Sequence, residues 1–175
     1  TGKLPEAEEA VLAKSVRTIV DQVGAMKRLV NEFRDYARLP AAELHPLDLN
    51  ALVTDVLQLY GSENATVPVA VALDPRCPPV AGDAQQLRQV VHNLLQNAQD
   101  ATEEAARKGQ VPAEPVHIST HWSESSRRVR LTVSDRGSGF APNILQRALE
   151  PYVTTKSGGT GLGLAVVKKI ADEHG

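Results

Sequence analysis

The feature that most constrains the fold is a long proline-free segment near the start of the chain. From Glu6 to Leu39 the only glycine is Gly24, and apolar residues recur at steps of three or four. This spacing predicts one helix, about 45 Å long, with a single apolar stripe. The stripe comprises Leu12, Val16, Val20, Val23, Met26, Val30, Phe33 and Ala37. So long and narrow a stripe favours a seam with another helix of a bundle over packing on its own domain.

Prolines mark the end of this helix. Pro40 disfavours helical geometry at the residue before it, and Pro46 follows in a stretch typical of a linker. We therefore expect a helical part over residues 1–40, a linker over 41–47 and a domain over 48–175.

The predicted domain mixes strands and helices. Valine-rich or alternating runs predict strands, and apolar spacing of three or four predicts helices. Asp83, and either Asp48 or Asn50, can cap helices that follow them. Strands are expected over 67–74, 116–122 and 127–135, and helices from 48, from 83, over 143–149 and near the C-terminus. Without strict βαβ alternation, the fold class is α+β.

The composition is that of an ordinary globular domain. Hydrophobic residues make up 42% and charged residues 23%, and the formal net charge is -2. This balance gives no reason to expect nucleic acid as a partner. Cys77 is the only cysteine, which excludes a disulfide framework within the chain. No apolar run reaches the ~20 residues that cross a bilayer, so a membrane is expected only through other parts of a parent protein.

Two asparagines lie four residues apart in the helical segment after Asp83. Asn93 and Asn97 therefore share one face of that helix, and its apolar residues lie largely on the other side. A side-chain amide oxygen suits a magnesium ion that also holds phosphates. Two solvated amides on a surface helix are the alternative.

A glycine-containing turn follows the last predicted strand. Asp135 stands at the strand end, where its carboxylate can accept a hydrogen bond from an exocyclic amine. Gly137 and Gly139 allow a flat ligand to approach the backbone closely. Taken alone, the pattern also fits an ordinary glycine turn.

The third motif is the glycine loop, residues 158–163, with four glycines in six residues. It leads into a helix, whose free N–H groups and positive dipole end favour an anion. Successive N–H groups in such a loop can cradle phosphates, and Thr154 and Lys156 add a hydroxyl and a cation beside it. A flexible hinge is the alternative.

In this order and spacing, the three motifs resemble the ATP-binding domain of sensor histidine kinases. That domain belongs to the superfamily shared with gyrase, Hsp90 and MutL, so the resemblance implies a two-layer α/β sandwich. It covers residues 47–175. The segment MKRLVNEFRDYARLP resembles the second helix of the dimerisation and phosphotransfer hairpin, which assigns 1–40 to part of that hairpin. Together with EPYVTTK and VVKKIADEHG, it most resembles the NtrY type of nitrogen-regulation sensor kinase.

The resemblance implies a role for each motif. Asn97 would bind Mg²⁺, and Asn93 would lie beside the phosphates of ATP. Asp135 would bond the adenine amine, with Gly137 and Gly139 shaping the floor of the pocket.

The same resemblance implies a mobile lid over the nucleotide. Tyr152, where the family usually has phenylalanine, and Lys156 would lie in this lid, and the glycine loop would wrap the triphosphate. The implied nucleotide-binding positions are Asn93, Asn97, Asp100, Asp135, Gly137, Gly139, Tyr152, Thr155, Lys156, Gly159, Thr160, Gly161, Leu162, Gly163 and Leu164.

The chain departs from the family at its histidines. The family's phosphoacceptor histidine is followed by an acidic residue, and no histidine here has that context. The five are His45, His92, His117, His121 and His174. We therefore expect a fragment that begins after the phosphoacceptor helix, holds no catalytic residue and stops before the strands that complete the family's sheet.

The resemblance also implies the setting. The parent protein would pass the γ-phosphoryl group of ATP to its own histidine and then to the receiver domain of a response regulator. It would form a homodimer through the long helix and would be anchored in the inner membrane, with this part in the cytoplasm.

Three other functions fit parts of the pattern. ATPases of the gyrase and MutL kind have a glutamate, the general base, four residues before the magnesium asparagine; here that residue is Asn93, which cannot take a proton. A serine kinase of the anti-sigma-factor type lacks the long helix. A non-enzymatic dimerisation module with a dead nucleotide site is the last alternative, and the three intact motifs argue against it.

Overall fold

The fold combines one long helix with a mixed domain of helices and strands. The computed structural model describes residues 6–60, 67–109, 114–154, 156 and 159–175. Its helices are α1 (Glu6–Ala37), α2 (Leu49–Tyr60), α3 (Ala84–Arg107), α4 (Pro142–Leu145) and α5 (Gly163–His174). Its strands are β1 (His45–Leu47), β2 (Val69–Ala72), β3 (Val80–Gly82), β4 (Val116–Ser123) and β5 (Arg128–Ser134). The predicted α+β class is confirmed.

Helix α1 has the predicted length and ends before Pro40. Its apolar stripe remains exposed: Val16 is 51%, Val23 59% and Phe33 49% accessible. Nothing among the described residues covers this stripe, so the structure leaves it available to another helix. Within the part of the chain that the structure describes, α1 and the other helices all lack the length or the apolar character needed to cross a membrane.

The strands form two separate sheets. In the larger one, β4 lies in the middle, parallel to β2 and antiparallel to β5. In the smaller one, β1 pairs with β3, with Leu47 opposite Val80. The predicted linker over 41–47 therefore contains a strand. The three-residue segment of β1 contains a proline and is too short to show a periodic pattern in the sequence. It becomes a strand because it pairs with β3, which is distant along the chain.

The core lies between the larger sheet and the helices. Burial alternates along β4, where Val116 and Ile118 are fully buried and His117 is exposed. Helices α2 and α3 complete this core with Val53 and Leu95, both fully buried. Each such side chain contributes about 1.5–3 kcal/mol of burial free energy. One face of the sheet thus supports α3, the helix that carries the two predicted asparagines.

Asp83 joins three parts of the chain. As predicted, it caps α3, because its Oδ1 accepts the N–H groups of Gln85 and Gln86 at 2.9 and 3.1 Å. Its Oδ2 accepts the N–H of Glu43 at 3.1 Å, and its own N–H donates to His174 Nε2 at 3.0 Å. The backbone bonds from Gln86, Glu43 and Gln85 lower the pKa of Asp83, since they favour the carboxylate.

Two predicted boundaries are wrong. The helix expected over 143–149 is the four-residue α4, followed by turns in which the N–H of Glu150 donates to the carbonyl of Arg147 at 2.9 Å. The strand expected over 67–74 is limited to Val69–Ala72. Asp74 instead belongs to a tight turn, where its carboxylate binds Arg76.

Candidate nucleotide-binding site

The site is built on one row of α3 formed by Asn93, Asn97 and Ala101, which we call the α3 row. These residues are four apart and therefore lie above one another along the helix. Val91 and Leu95, which are fully buried, fix the orientation of the helix from its other side. The segment with Lys156 and the glycine loop reaches Asn93 and Asn97, and the turn after β5 reaches Ala101.

At Asn93 the row meets the start of α5. Asn93 Nδ2 donates to the carbonyl of Gly163 at 3.2 Å. A Cβ on Gly163 would lie 3.5 Å from Asn97 Nδ2, an ordinary contact. The N-cap residue of α5, Leu162, makes no side-chain cap bond. The N–H groups of the first turn of α5 therefore lie beside the asparagines without a side-chain cap, an arrangement that suits an anion.

At Asn97 the row meets Lys156. Lys156 Nζ donates to Asn97 Oδ1 at 3.1 Å and to Asp100 Oδ2 at 2.8 Å. Gln96 Nε2 donates to Asp100 Oδ1 at 2.8 Å and holds that carboxylate in place. An amide oxygen and a carboxylate oxygen thus bind the same ammonium group here. Hard oxygen ligands of this kind fit Mg²⁺, the ion that the sequence implies.

At Ala101 the row meets the turn after β5. A Cβ on Gly137 would lie 2.6 Å from the Cβ and 2.8 Å from the carbonyl oxygen of Ala101, so only glycine fits there. Asp135 Oδ1 accepts the N–H of Gly137 at 2.8 Å, which fixes the turn and leaves the carboxylate exposed. Gly139 has a φ of 65°, which favours glycine. The exposed carboxylate of Asp135 therefore lies close to the Ala101 end of the α3 row.

A hydrogen bond between Tyr152 and Gly161, which both have a positive φ, closes the glycine loop. The N–H of Tyr152 donates to the carbonyl of Gly161 at 2.9 Å, and the two residues have φ values of 65° and 69°. A Cβ on Gly161 would lie 2.6 Å from the carbonyl carbon of Tyr152, so glycine is required. At Gly159, a Cβ would lie 2.7 Å from Thr154 Oγ1. Tyr152 itself is 59% exposed.

The rest of the loop connects to the core and to α1. Leu162 is fully buried and anchors the loop, so only its backbone can reach a ligand, and Leu164 is partly buried. The hydroxyl of Thr160 donates to the carboxylate of Glu32 on α1. Thr155, which the sequence implies as a nucleotide-binding residue, lies outside the described residues.

The sequence did not indicate a tyrosine beside this site. The Tyr60 hydroxyl lies 2.5 Å from His92 Nδ1 and donates to the His92 carbonyl at 3.3 Å. Burial, and then the negative charge of Asp100, raise the pKa of Tyr60 to about 12. Tyr60 and His92 are 32 residues apart, and no local pattern links them.

Two contacts join α1 to α5 and the loop before it. Besides the bond between Glu32 and Thr160, Lys169 Nζ donates to the carbonyl of Tyr36 at 2.9 Å and lies 5.3 Å from the centre of its ring. The sequence did not reveal these contacts either, since α1 reads as a separate element.

Residues 82–175 match the family described as histidine kinase-, DNA gyrase B-, and HSP90-like ATPase. The nitrogen regulation protein NtrY of Azorhizobium caulinodans is 32% identical to the chain over 178 residues. That match covers 99% of this chain and 22% of NtrY. The resemblance to the NtrY type, seen in the sequence, is thereby confirmed.

Solved histidine kinase structures have the same fold. Full-length ShkA, crystallised in complex with AMPPNP, matches with a TM-score of 0.70 and 30% identity over 98% of this chain and 35% of ShkA. Histidine kinase ThkA, in complex with the response regulator protein TrrA, matches with a TM-score of 0.71 and 24% identity over 99% of this chain and 47% of that one. The chain thus spans less than half of each of these relatives. It belongs to the histidine kinase-, DNA gyrase B-, and HSP90-like ATPase family, within which it carries the ATP-binding domain of a sensor histidine kinase.

Proposed function

We propose that this chain binds Mg-ATP at the α3 row and supplies the nucleotide for phosphorylation of a histidine in its parent protein. The observation that carries the proposal is that two distant motifs, the glycine-loop segment with Lys156 and the Asp135 turn, converge on the α3 row, which carries the first motif. ShkA, which has the same fold, was crystallised with AMPPNP. An ATP analogue is therefore the ligand to test.

The phosphate end of the site is the start of α5. Uncapped N–H groups there, together with those of the glycine loop, provide donors for phosphate oxygens. Asp135, at the other end of the row, is an exposed acceptor suited to the adenine amine. Gly139, whose would-be Cβ has no neighbour within 4 Å, leaves room beside it for a flat base.

Asn97, with Asp100 beside it, is the proposed position of Mg²⁺. Bound Mg²⁺ would neutralise charge on the phosphates, a main requirement of phosphoryl transfer. Asn97 Oδ1 already accepts a hydrogen bond from a cationic group, Lys156, which shows that the position suits positive charge.

The site favours transfer to another group over hydrolysis. A gyrase-type ATPase needs a general base at the position of Asn93, and an amide cannot take a proton from water. Here Asn93 Nδ2 also donates to the Gly163 carbonyl, so the side chain supports the start of α5. We assign Asn93 a positioning role for the loop that holds phosphate.

The remaining proposals concern the parent protein. Residues 1–40 would belong to the dimerisation and phosphotransfer hairpin, 41–47 to the linker and 48–175 to the catalytic domain. The parent would be a homodimer anchored in the inner membrane, with this domain in the cytoplasm. It would pass the phosphoryl group to the receiver domain of a response regulator, and ThkA was crystallised with such a partner.

Asp135→Asn tests the adenine assignment. In asparagine an NH2 group replaces one oxygen, and the other oxygen is neutral and already accepts the Gly137 N–H, so the adenine amine would lose its charged acceptor. A hydrogen bond to a charged group contributes about 1.5–3 kcal/mol, so AMPPNP should bind roughly 10- to 100-fold more weakly by calorimetry.

The matched control is Asp172→Asn on α5. Asp172 pairs with Lys168 at 2.5 Å and its side chain is 66% exposed, away from the α3 row. This variant should bind the analogue like the unmodified chain. Equal affinities of the Asp135→Asn variant and the unmodified chain would remove Asp135 from the site.

A further inference from the structure

Lys156 lies at a position that the proposed magnesium ion also needs. Its ammonium bridges Asn97 Oδ1 at 3.1 Å and Asp100 Oδ2 at 2.8 Å. The Lys156 and Asp100 side chains are 30% and 40% exposed, so the pair is partly screened by water. We propose that Lys156 is a latch: without nucleotide, its ammonium binds Asn97 and Asp100, and Mg-ATP must displace it. This inference rests on the proposed function of the same site.

The latch follows from competition between cations. Mg²⁺ binds oxygen at about 2.1 Å, so an ion on Asn97 Oδ1 would lie close to the ammonium bound to the same atom. Two such cations on one amide oxygen repel each other, and the phosphates of ATP offer the ammonium another partner. Lys156 must therefore leave Asn97 before a divalent cation binds there.

Asp100 is the residue that holds the latch. Without a cation beside it, its carboxylate would repel the phosphates of ATP, and Lys156 removes this charge in the free chain. Gln96 fixes the carboxylate on the side away from Lys156, since it donates to Oδ1 while Lys156 donates to Oδ2. Asp100 is thus a positioning residue for Lys156.

The latch also sets the position of the loop. The N–H of Lys156 donates to Thr154 Oγ1 at 3.1 Å, and its carbonyl accepts the N–H of Gly159 at 3.1 Å. The bonds of the side chain to Asn97 and Asp100 therefore tie this part of the loop to α3. Once displaced, the ammonium is available to phosphate oxygens.

The first test needs no nucleotide. A small amine-reactive ester labels lysines at trace levels, and peptide mass spectrometry gives the rate at each one. In Asp100→Asn, Lys156 loses its charged partner, and its labelling should rise roughly two- to fivefold, the range expected for a partly exposed ion pair.

Glu104→Gln is the matched control on the same helix. Glu104 pairs with Lys108 at 2.6 Å and acts on Lys156 only weakly through its charge, so this variant should speed labelling of Lys108 and change that of Lys156 far less than Asp100→Asn does. An unchanged rate at Lys156 in Asp100→Asn overturns the latch, whatever Lys108 does. Because no nucleotide is present, this result is independent of whether the chain binds ATP.

The second test measures competition with nucleotide. With magnesium removed by a chelator, AMPPNP should bind Asp100→Asn roughly two- to fivefold more tightly than the unmodified chain, because the ammonium is already free for phosphate. Glu104→Gln should show no such gain. Faster labelling without tighter binding would mean that the contact between Lys156 and Asp100 does not compete with nucleotide binding, and the latch would be rejected.

Discussion

At the residue scale, Gly137 packs directly against the backbone of α3 at Ala101. Contact with helix backbone cannot be relieved by a rotamer change, because the carbonyl oxygen 2.8 Å from the would-be Cβ is held within α3. This contact ties the Asp135 turn to the helix that carries Asn93 and Asn97. The proposed adenine recognition and magnesium binding would therefore depend on one packed junction.

Gly137→Ala should separate that turn from α3. We expect a loss of about 1–3 kcal/mol in unfolding free energy, the usual cost of overpacking, together with weaker AMPPNP binding. Urea unfolding and calorimetry measure the two effects. Gly24→Ala is the control, because Gly24 lies within α1 and alanine favours the helix there by about 0.5–1 kcal/mol. A Gly137→Ala variant as stable as the unmodified chain would contradict the packing described.

Local chemistry made several site residues predictable. Helical spacing places Asn93 and Asn97 on one face, and Asp135 stands at a strand end; the roles proposed for them come from the resemblance to the family. The contact of Lys156 with Asp100 was not predictable, since 56 residues separate the two and only the folded chain brings them together. The same holds for Thr160 and Glu32.

At the scale of elements, a polar junction joins β2, β4 and α2. Thr120 Oγ1 donates to Asn50 Oδ1 at 2.7 Å and accepts the N–H of Asp74 at 3.0 Å. Asp74 also accepts bonds from Arg76 and from the Trp122 N–H. The Arg76 guanidinium, then the backbone N–H groups of Arg76 and Trp122, hold the pKa of Asp74 well below its usual range.

This junction predicts a pH dependence. Because the folded state lowers the pKa of Asp74, its contribution to stability is present above the unfolded pKa, about 3.9, and is lost as the pH falls below that value. The urea midpoint of Asp74→Asn should lie below that of the unmodified chain at pH 7, and the gap should shrink below about pH 4.

Asp55→Asn is the control for this experiment. Asp55 forms an exposed pair with Arg88 at 3.3 Å, which should contribute little at any pH. A gap for Asp74→Asn that stays constant from pH 7 to pH 3 would show that the Asp74 charge does not stabilise the junction.

Long elements were predictable and short ones were not. Helices α1, α3 and α5 and strands β4 and β5 carry enough periodic residues to be identified from the sequence. Strands β1 and β3 have three residues each and exist because they pair with each other. Their formation depends on tertiary contacts that no local pattern encodes.

At the scale of the whole molecule, the apolar stripe of α1 is a surface that the domain leaves exposed to water. Eight large hydrophobic side chains between Val11 and Val30 are 51–66% exposed, which is costly for a single chain in water. A second copy of α1 would bury them, as the proposed homodimer requires.

Val23→Asp should weaken this dimer. Val23 is 59% exposed on the stripe, and in a symmetric dimer the charge would enter the seam twice. We expect at least a roughly tenfold weaker association by sedimentation equilibrium. Lys14→Asp, on the face of α1 opposite the stripe, is the matched control. Equal association of the Val23→Asp variant and the unmodified chain would place the interface elsewhere.

The central claim is that the α3 row binds Mg-ATP, and calorimetric titration of the unmodified chain with AMPPNP tests it most directly. The account predicts saturable binding of one nucleotide per chain that is tighter with magnesium than with a chelator. Binding that is equally tight with and without magnesium would contradict the role of Asn97. No binding under either condition would contradict the account as a whole.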